Sequence, residues 1–266
     1  MKCDLHIHSK YSFDGVPTLD AICRAAVEHH VDIIATTDHC DMTDGPEGIR
    51  SYQENEAARL EEYARVKEEY KELKILYGVE IGNPNDRPWM TKTFMDAREF
   101  DFVIGATHFL PDGSDIYKLP YPDRESIEKM FCQYFASMKQ LVELGGFDTL
   151  AHLDYPLRVL KGKVTGPTIT QYRDLVEPIL EEIVAKGIAL EVNTRGAYDW
   201  EGRVGPEEWV LQRYKALGGQ YVTIGSDAHT TQWIGAGFDE AVAVLKKTGF
   251  DAYTIYQNRK PKQISI

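Results

Sequence analysis

Paired cysteines are missing from this 266-residue chain. It has four, Cys3, Cys23, Cys40 and Cys132, scattered without the close spacing of a thiolate metal site or a disulfide framework. In a chain of this length they read as buried or idle thiols in a reducing compartment. No apolar run approaches the roughly 18 residues of a membrane span. The opening MKCDLHIH has no apolar signal region, so a cytoplasmic location is expected. Positive charge is also short: 30 Lys and Arg stand against 42 Asp and Glu, a net charge of -12. That argues against nucleic acid or a membrane surface as a partner. An anionic substrate would need a few placed cations or metal ions. Linkers and low-complexity tracts are lacking as well, which leaves one domain over residues 1–266, a monomer or small homo-oligomer.

What the chain does have is alternation. Short β-branched runs at Cys3–His8, Asp32–Asp38, Ile75–Gly82, Phe102–His108, Thr149–Asp154, Ile188–Thr194 and Tyr221–Asp227 read as strands. Between them lie helical patterns: one capped by Thr18 and running through Val27, then Glu54–Glu72, Arg124–Leu144, Thr170–Lys186, Pro206–Leu217 and Phe238–Thr248. Glu54–Glu72 carries a Leu60, Tyr63, Val66, Tyr70 stripe and an acidic outer face. In Thr170–Lys186, Leu175, Ile179, Leu180, Ile183 and Val184 fall at helical spacing, and Gly187 stops the helix. Seven strands alternating with helices imply a parallel sheet, open or closed.

The strand ends decide between open and closed. They read His6-Ile-His8, Thr37-Asp38-His39, Val79-Glu80, Thr107-His108, Ala151-His152-Leu-Asp154, Glu191-Val-Asn193-Thr-Arg195 and Ser226-Asp227-Ala-His229. An open sheet would string these out in a row. A closed β/α barrel gathers them at its C-terminal mouth, where barrel active sites lie. His6 and His8 share a strand face by parity, with Asp4 placed to support a ligating imidazole from below. Asp14 follows in the next loop. The candidate metal ligands are His6, His8, Asp14, His39, Glu80, His108, His152, Asp227 and His229. Imidazole with carboxylate suits Zn, Mn or Fe, and nine donors exceed one ion's needs, so two or three ions are expected. Asp38 points away from His39 and reads as a supporting residue, and Cys40 as an ordinary small one. His29 and His30, at a helix end, read as surface histidines. Arg158 and Arg195 fall on loops at the mouth and suit phosphate oxygens. Asp115, Tyr117, Tyr121 and Tyr155 are candidate substrate contacts.

Taken together, Asp4-Leu-His6-Ile-His8-Ser9, Thr37-Asp38-His39, Gly78-Val-Glu80, His108, His152 and Gly225-Ser226-Asp227-Ala-His229 resemble the motifs of the PHP (polymerase and histidinol phosphatase) superfamily along essentially the whole chain. His152-Leu-Asp154-Tyr-Pro156 with Arg158, and Glu191-Val-Asn193-Thr, resemble its histidinol-phosphate phosphatase branch. The resemblance implies a distorted, TIM-like (β/α)7 barrel with a trinuclear centre. It places His6, His8, Glu80 and Asp227 on one ion, Glu80, His108 and His152 on a second, and Asp14, His39 and His229 on a third. The activity implied is hydrolysis of a small phosphate monoester, most of all L-histidinol phosphate in histidine biosynthesis. Arg158 and Arg195 would hold the phosphate, and Asp227 or His229 are candidates for proton transfer. Another phosphoesterase activity, on a nucleotide or cyclic phosphate, is the alternative within the fold. Amidohydrolase barrels, which cleave C–N bonds, often use a strand lysine as bridging ligand; here Glu80 stands in that place. A metal-stabilised interaction module is the nonenzymatic alternative, against which nine ligands exceed what structural closure requires.

Overall fold

The computed structural model describes residues 1–121, 123–160 and 168–266. Its central sheet is parallel: β1 (Cys3–Ile7), β2 (Ile33–Thr36), β3 (His39–Asp41), β4 (Lys74–Gly82), β5 (Phe102–Ala106), β6 (Thr149–Leu150), β7 (Ala189–Asn193) and β8 (Val222–Gly225). The strands hydrogen-bond in the order β1-β2-β4-β5-β6-β7-β8, with β3 beside β4. Ile7 then bridges Ala228, and His8 N donates to the Ala228 carbonyl at 2.9 Å, so the two ends of the sheet meet at the C-terminal edge. The sheet is thus nearly closed into a barrel. Its strands are short, β-branched and buried on both faces, as a parallel sheet under a helix layer requires.

Thr36 pairs with Tyr77 and His39 with Glu80, so β3 continues β2 in one register after a break at Thr37-Asp38. The expected strand Asp32–Asp38 is therefore two pieces, and the break is what delivers His39 beside Glu80. β4 ends at Gly82 as expected, and the remaining strands stop one to four residues short of their expected ends. His8, His108, His152 and Asp227 lie just past β1, β5, β6 and β8. His152 (φ 21°) and Asp227 (φ 54°) hold positive φ there. Such backbone is uncommon for residues with a Cβ and is typical of functional sites.

The helices are α1 (Leu19–Glu28), α2 (Pro46–Glu54), α3 (Glu56–Glu69), α4 (Pro88–Asp96), α5 (Arg124–Leu144), α6 (Tyr155–Val159), α7 (Arg173–Lys186), α8 (Arg195–Tyr198), α9 (Glu208–Ala216) and α10 (Phe238–Lys247). Thr18 caps α1 by accepting from Ala21 N at 3.1 Å, and Gly187 ends α7 at φ 67°. The expected helix Glu54–Glu72 is corrected. It starts at Glu56, Leu60 is exposed, and Arg59 is buried in its place. The Arg59 guanidinium lies 3.6 Å from the Tyr52 ring centroid and donates to the Tyr52 carbonyl and the Tyr77 hydroxyl, with Asp38 3.9 Å away. Charge pattern alone reads an arginine as solvent-facing, whereas here aromatic faces and a buried carboxylate draw it inward. Leu175 is likewise exposed, and Val176 takes its place in the α7 stripe.

A C-terminal hairpin, β9 (Ala252–Gln257) and β10 (Lys260–Ser265), packs beneath the barrel. Its turn residues Asn258 and Arg259 both have positive φ. Asn258 N donates to the Asp101 carboxylate, Arg259 pairs with Asp148, and Tyr256 stacks on Phe102. No helix among the described residues is long and apolar enough to cross a membrane.

Candidate active site

Glu80, at the C-terminal end of β4 and fully buried, is the centre of the mouth. Its Oε2 lies 3.3 Å from His6 Nε2, 2.9 Å from His39 Nδ1 and 3.6 Å from His8 Nε2. Its Oε1 lies 3.0 Å from His152 Nε2 and 3.2 Å from His108 Nε2. Five imidazoles from four strand ends thus converge on one carboxylate. Asp227 Oδ1 approaches His8 Nε2 at 3.4 Å. Farther out, Asp14 reaches His39 Nε2 at 3.5 Å and His229 Nε2 at 3.0 Å. All nine expected ligands are brought together. Three sets have donor atoms close enough to share an ion: His6, His8 and Glu80; His39, Glu80 and His108; and His8, Asp14, His39 and His229.

Charge and burial fit a cation here. His6 Nε2, His8 Nε2, His39 Nδ1 and Glu80 Oε2 are buried without a well-formed hydrogen bond, although they face one another. Buried polar atoms are otherwise almost always satisfied. Burial pushes the Glu80 carboxyl up, but the imidazoles of His6, His39 and His108 outweigh it and hold it well below the usual carboxylate range. For His6 and His39 burial disfavours the proton, yet neighbouring carboxylates overcome that and raise both well above the ordinary histidine value. His108, against Glu80 and Asp41, is raised to about 9 despite its burial. His8 goes the other way, driven down by burial and by the His229 and His39 rings. It stacks on both at 4.2 Å.

Arg158 on α6 and Arg195 on α8 both reach this mouth. Their Nη1 atoms lie 2.9 and 3.2 Å from the Asp227 carboxylate. Against the cost of burial, the two guanidiniums keep Asp227 ionised well below the ordinary range. A cleft of about 120 Å³ opens above, walled by Phe13, Phe109, Tyr117 and Tyr155 and bordered by Asp115 and Arg158. Tyr121 stands apart, donating to the Ile116 carbonyl. A larger cavity of about 680 Å³ lies outside the barrel, between α4, the end of α5 and the hairpin turn, and holds none of the nine. His29 caps α1 and bonds the Ile234 carbonyl, and His30 is exposed. Cys40 is buried and free.

Asp4 is a correction. It supports no imidazole ring; its carboxylate accepts from Ser226 N at 2.8 Å, from Gly235 N at 2.7 Å and from the Ser226 hydroxyl, fastening β1 to the turn after β8. The rings are supported by residues the sequence reading left without a role. Glu191 lies 2.6 Å from His6 Nδ1, Asp41 2.8 Å from His108 Nδ1, and Ser12 Oγ 3.1 Å from His8 Nδ1. Parity pointed to two of them: Glu191 interrupts an apolar strand, and Asp41 sits two residues past His39. Asp38 does act from behind, accepting from Ser9 and Ser12.

A nearly closed parallel barrel with imidazoles and carboxylates converging at its C-terminal mouth defines a metal-dependent hydrolase. The PHP domain family matches residues 4–195, and the chain belongs to that family. It is similar to the probable histidinol-phosphatase of Thermotoga maritima, 33% identical over 251 residues and 93% of each chain. The histidinol-phosphatase of Lactococcus lactis is 27% identical, over 97% of this chain and 96% of that one. A crystal structure of the histidinol phosphate phosphatase of Lactococcus lactis, complexed with zinc, L-histidinol and phosphate, superposes with a TM-score of 0.78 over 98% of both chains at 23% identity. That likeness extends the agreement in fold.

Proposed function

We propose that this protein hydrolyses L-histidinol phosphate to L-histidinol and phosphate at a centre of two or three divalent ions, Zn, Mn or Fe. The observation that carries the reading is the convergence of five imidazoles on Glu80, with orphaned donor atoms between them and two arginines alongside. His6, His8, Glu80 and Asp227 would hold one ion, Glu80, His108 and His152 a second, and Asp14, His39 and His229 a third. Bound divalent ions supply Lewis acidity and water of lowered pKa, which phosphate monoesters need because they hydrolyse so slowly unaided. The relatives bear the names probable histidinol-phosphatase and histidinol-phosphatase, which supports the choice of substrate.

The chain's own groups divide the remaining work. Arg158 and Arg195 present planar donors to the phosphoryl oxygens and offset charge that builds in the transition state. Asp227, kept ionised by both guanidiniums, can accept a proton from the attacking water but holds none to give. The aromatic walls suit the imidazole of the substrate, and Asp115 at the rim suits its ammonium. The test is phosphate release from L-histidinol phosphate by chelated and by metal-reconstituted protein. Activity is expected only after reconstitution; turnover that survives complete chelation contradicts the proposal.

A further inference from the structure

Two of the six imidazoles at the mouth differ from the rest in what stands behind them. His6 Nδ1 lies 2.6 Å from Glu191 Oε1, and His108 Nδ1 lies 2.8 Å from Asp41 Oδ1. A carboxylate only accepts, so each ring carries its proton on Nδ1 and turns Nε2 toward Glu80. His8 has a hydroxyl behind it; His229 Nδ1 faces the Asp227 carbonyl at 2.8 Å and Arg195 Nη1 at 3.0 Å, with the Asp227 carboxylate farther off at 3.5 Å; and the His152 Nδ1 is buried without a partner. His39 turns both nitrogens into the site, toward Glu80 and Asp14.

Each carboxylate–imidazole pair is admitted by a glycine. A Cβ on Gly82 would collide with Asp41 Oδ1 and lie 2.7 Å from His108 Nδ1. A Cβ on Gly225 would collide with His6 Cβ and lie 2.8 Å from Glu191 Oε1. The same device thus occurs twice, on different strands. Glu191 goes further: its Oε2 accepts from His152 N at 2.7 Å and from Asn193 Nδ2 at 3.1 Å. One buried carboxylate thereby fixes the ring of His6 and the backbone of His152, ligands of two different ions in the arrangement proposed above.

We infer that Glu191 and Asp41 are positioning residues for the metal centre, Glu191 setting two ion positions at once and Asp41 one. This rests on the metal-site reading of the preceding subsection. The chemistry makes the isosteric Glu191→Gln severe. With its amide oxygen toward His6, the amide NH2 faces the donors of His152 N and Asn193. Turned over, the amide NH2 faces His6 Nδ1 and forces the proton onto Nε2, the atom the ion needs. Among the described residues the Asp41 carboxylate meets no second hydrogen-bond donor, so Asp41→Asn can still offer an oxygen to His108, whereas Asp41→Ala cannot.

The test is zinc affinity of the full chain, measured by competition with a colorimetric chelator, together with melting temperatures of metal-free and zinc-loaded protein. Glu191→Gln is expected to weaken zinc binding about 10- to 100-fold at two equivalents, and Asp41→Ala to do so at one. Asp41→Asn should lose less than Asp41→Ala. Glu191→Gln and Asp41→Ala should both lose more of the zinc-induced rise in melting temperature than they lose in metal-free melting temperature, a split that a merely structural role would not give. Wild-type zinc affinity in both Glu191→Gln and Asp41→Ala would overturn the inference. If Glu191→Gln does not fold, the pair of Asp41 variants decides alone. Wild-type protein that binds no zinc, manganese or iron would instead sink the metal-site reading itself.

Discussion

Glu80 is approached by five imidazoles, and no other carboxylate in the mouth is so placed. Its replacement by Gln keeps the volume and removes the charge that balances clustered cations. Loss of at least about 10²–10³-fold in phosphatase rate is expected, with loss of bound metal by elemental analysis. A Glu80→Gln protein that keeps metal and rate would remove Glu80 from the centre. Arg158 contributes differently, through directed donors at the phosphate. Arg158→Ala should lower kcat/KM for the phosphate ester about 10²-fold while metal content stays unchanged. Arg158→Lys should recover little, because an ammonium cannot reproduce the planar fork. Recovery to wild-type rate would reduce the role of Arg158 to net charge. Away from the mouth, Arg59 is a buried cation among Tyr52, Tyr77 and Asp38. Arg59→Ala should cost about 3 kcal/mol in urea unfolding, since it leaves the Asp38 carboxylate buried without its countercharge.

At the scale of elements, the seven barrel strands were legible because each combines a β-branched run with a polar end. The strand ends of a closed barrel must share one mouth, so closure followed from chemistry rather than from periodicity. Which imidazoles and carboxylates meet at the mouth could be read from residue type and place at the strand ends. The outer carboxylates were harder. Asp41 and Glu191 act across strands, and sequence does not say which side chain backs which ring. Asp4 has the right parity for that task but meets two backbone amides instead. The C-terminal hairpin went unread because its turn is Asn258-Arg259. A two-residue turn of this hand usually announces itself by Gly at the second position, and Arg259 adopts φ 62° without one. The hairpin's anchoring is held by tertiary contacts: Tyr253 is fully buried and donates to the Met1 carbonyl. Tyr253→Ala should therefore cost about 3–5 kcal/mol, seen as a lower urea midpoint at unchanged slope. A shift under 1 kcal/mol would make the hairpin an ornament.

For the whole molecule, a net charge of -12 is offset locally where function needs cations, by two arginines and the proposed ions. Metal and protons compete for the same imidazoles. His6 and His39 have raised pKa values and His108 titrates near 9, so below those values a metal ion must displace protons to bind. Apparent zinc affinity should therefore climb as pH rises toward about 9, with proton release visible as a buffer-dependent heat of binding. An affinity flat between pH 6 and pH 9 would show that the imidazoles are already free of protons. Substrate preference separates histidinol phosphate hydrolysis from every other phosphoesterase activity. Initial rates of phosphate release should be compared for the metal-loaded enzyme across L-histidinol phosphate, sugar phosphates, nucleoside monophosphates and p-nitrophenyl phosphate. The kcat/KM for L-histidinol phosphate should stand at least about a thousandfold above the others, a transition-state preference of roughly 4 kcal/mol. Flat, slow rates across the panel would rule out L-histidinol phosphate as the substrate.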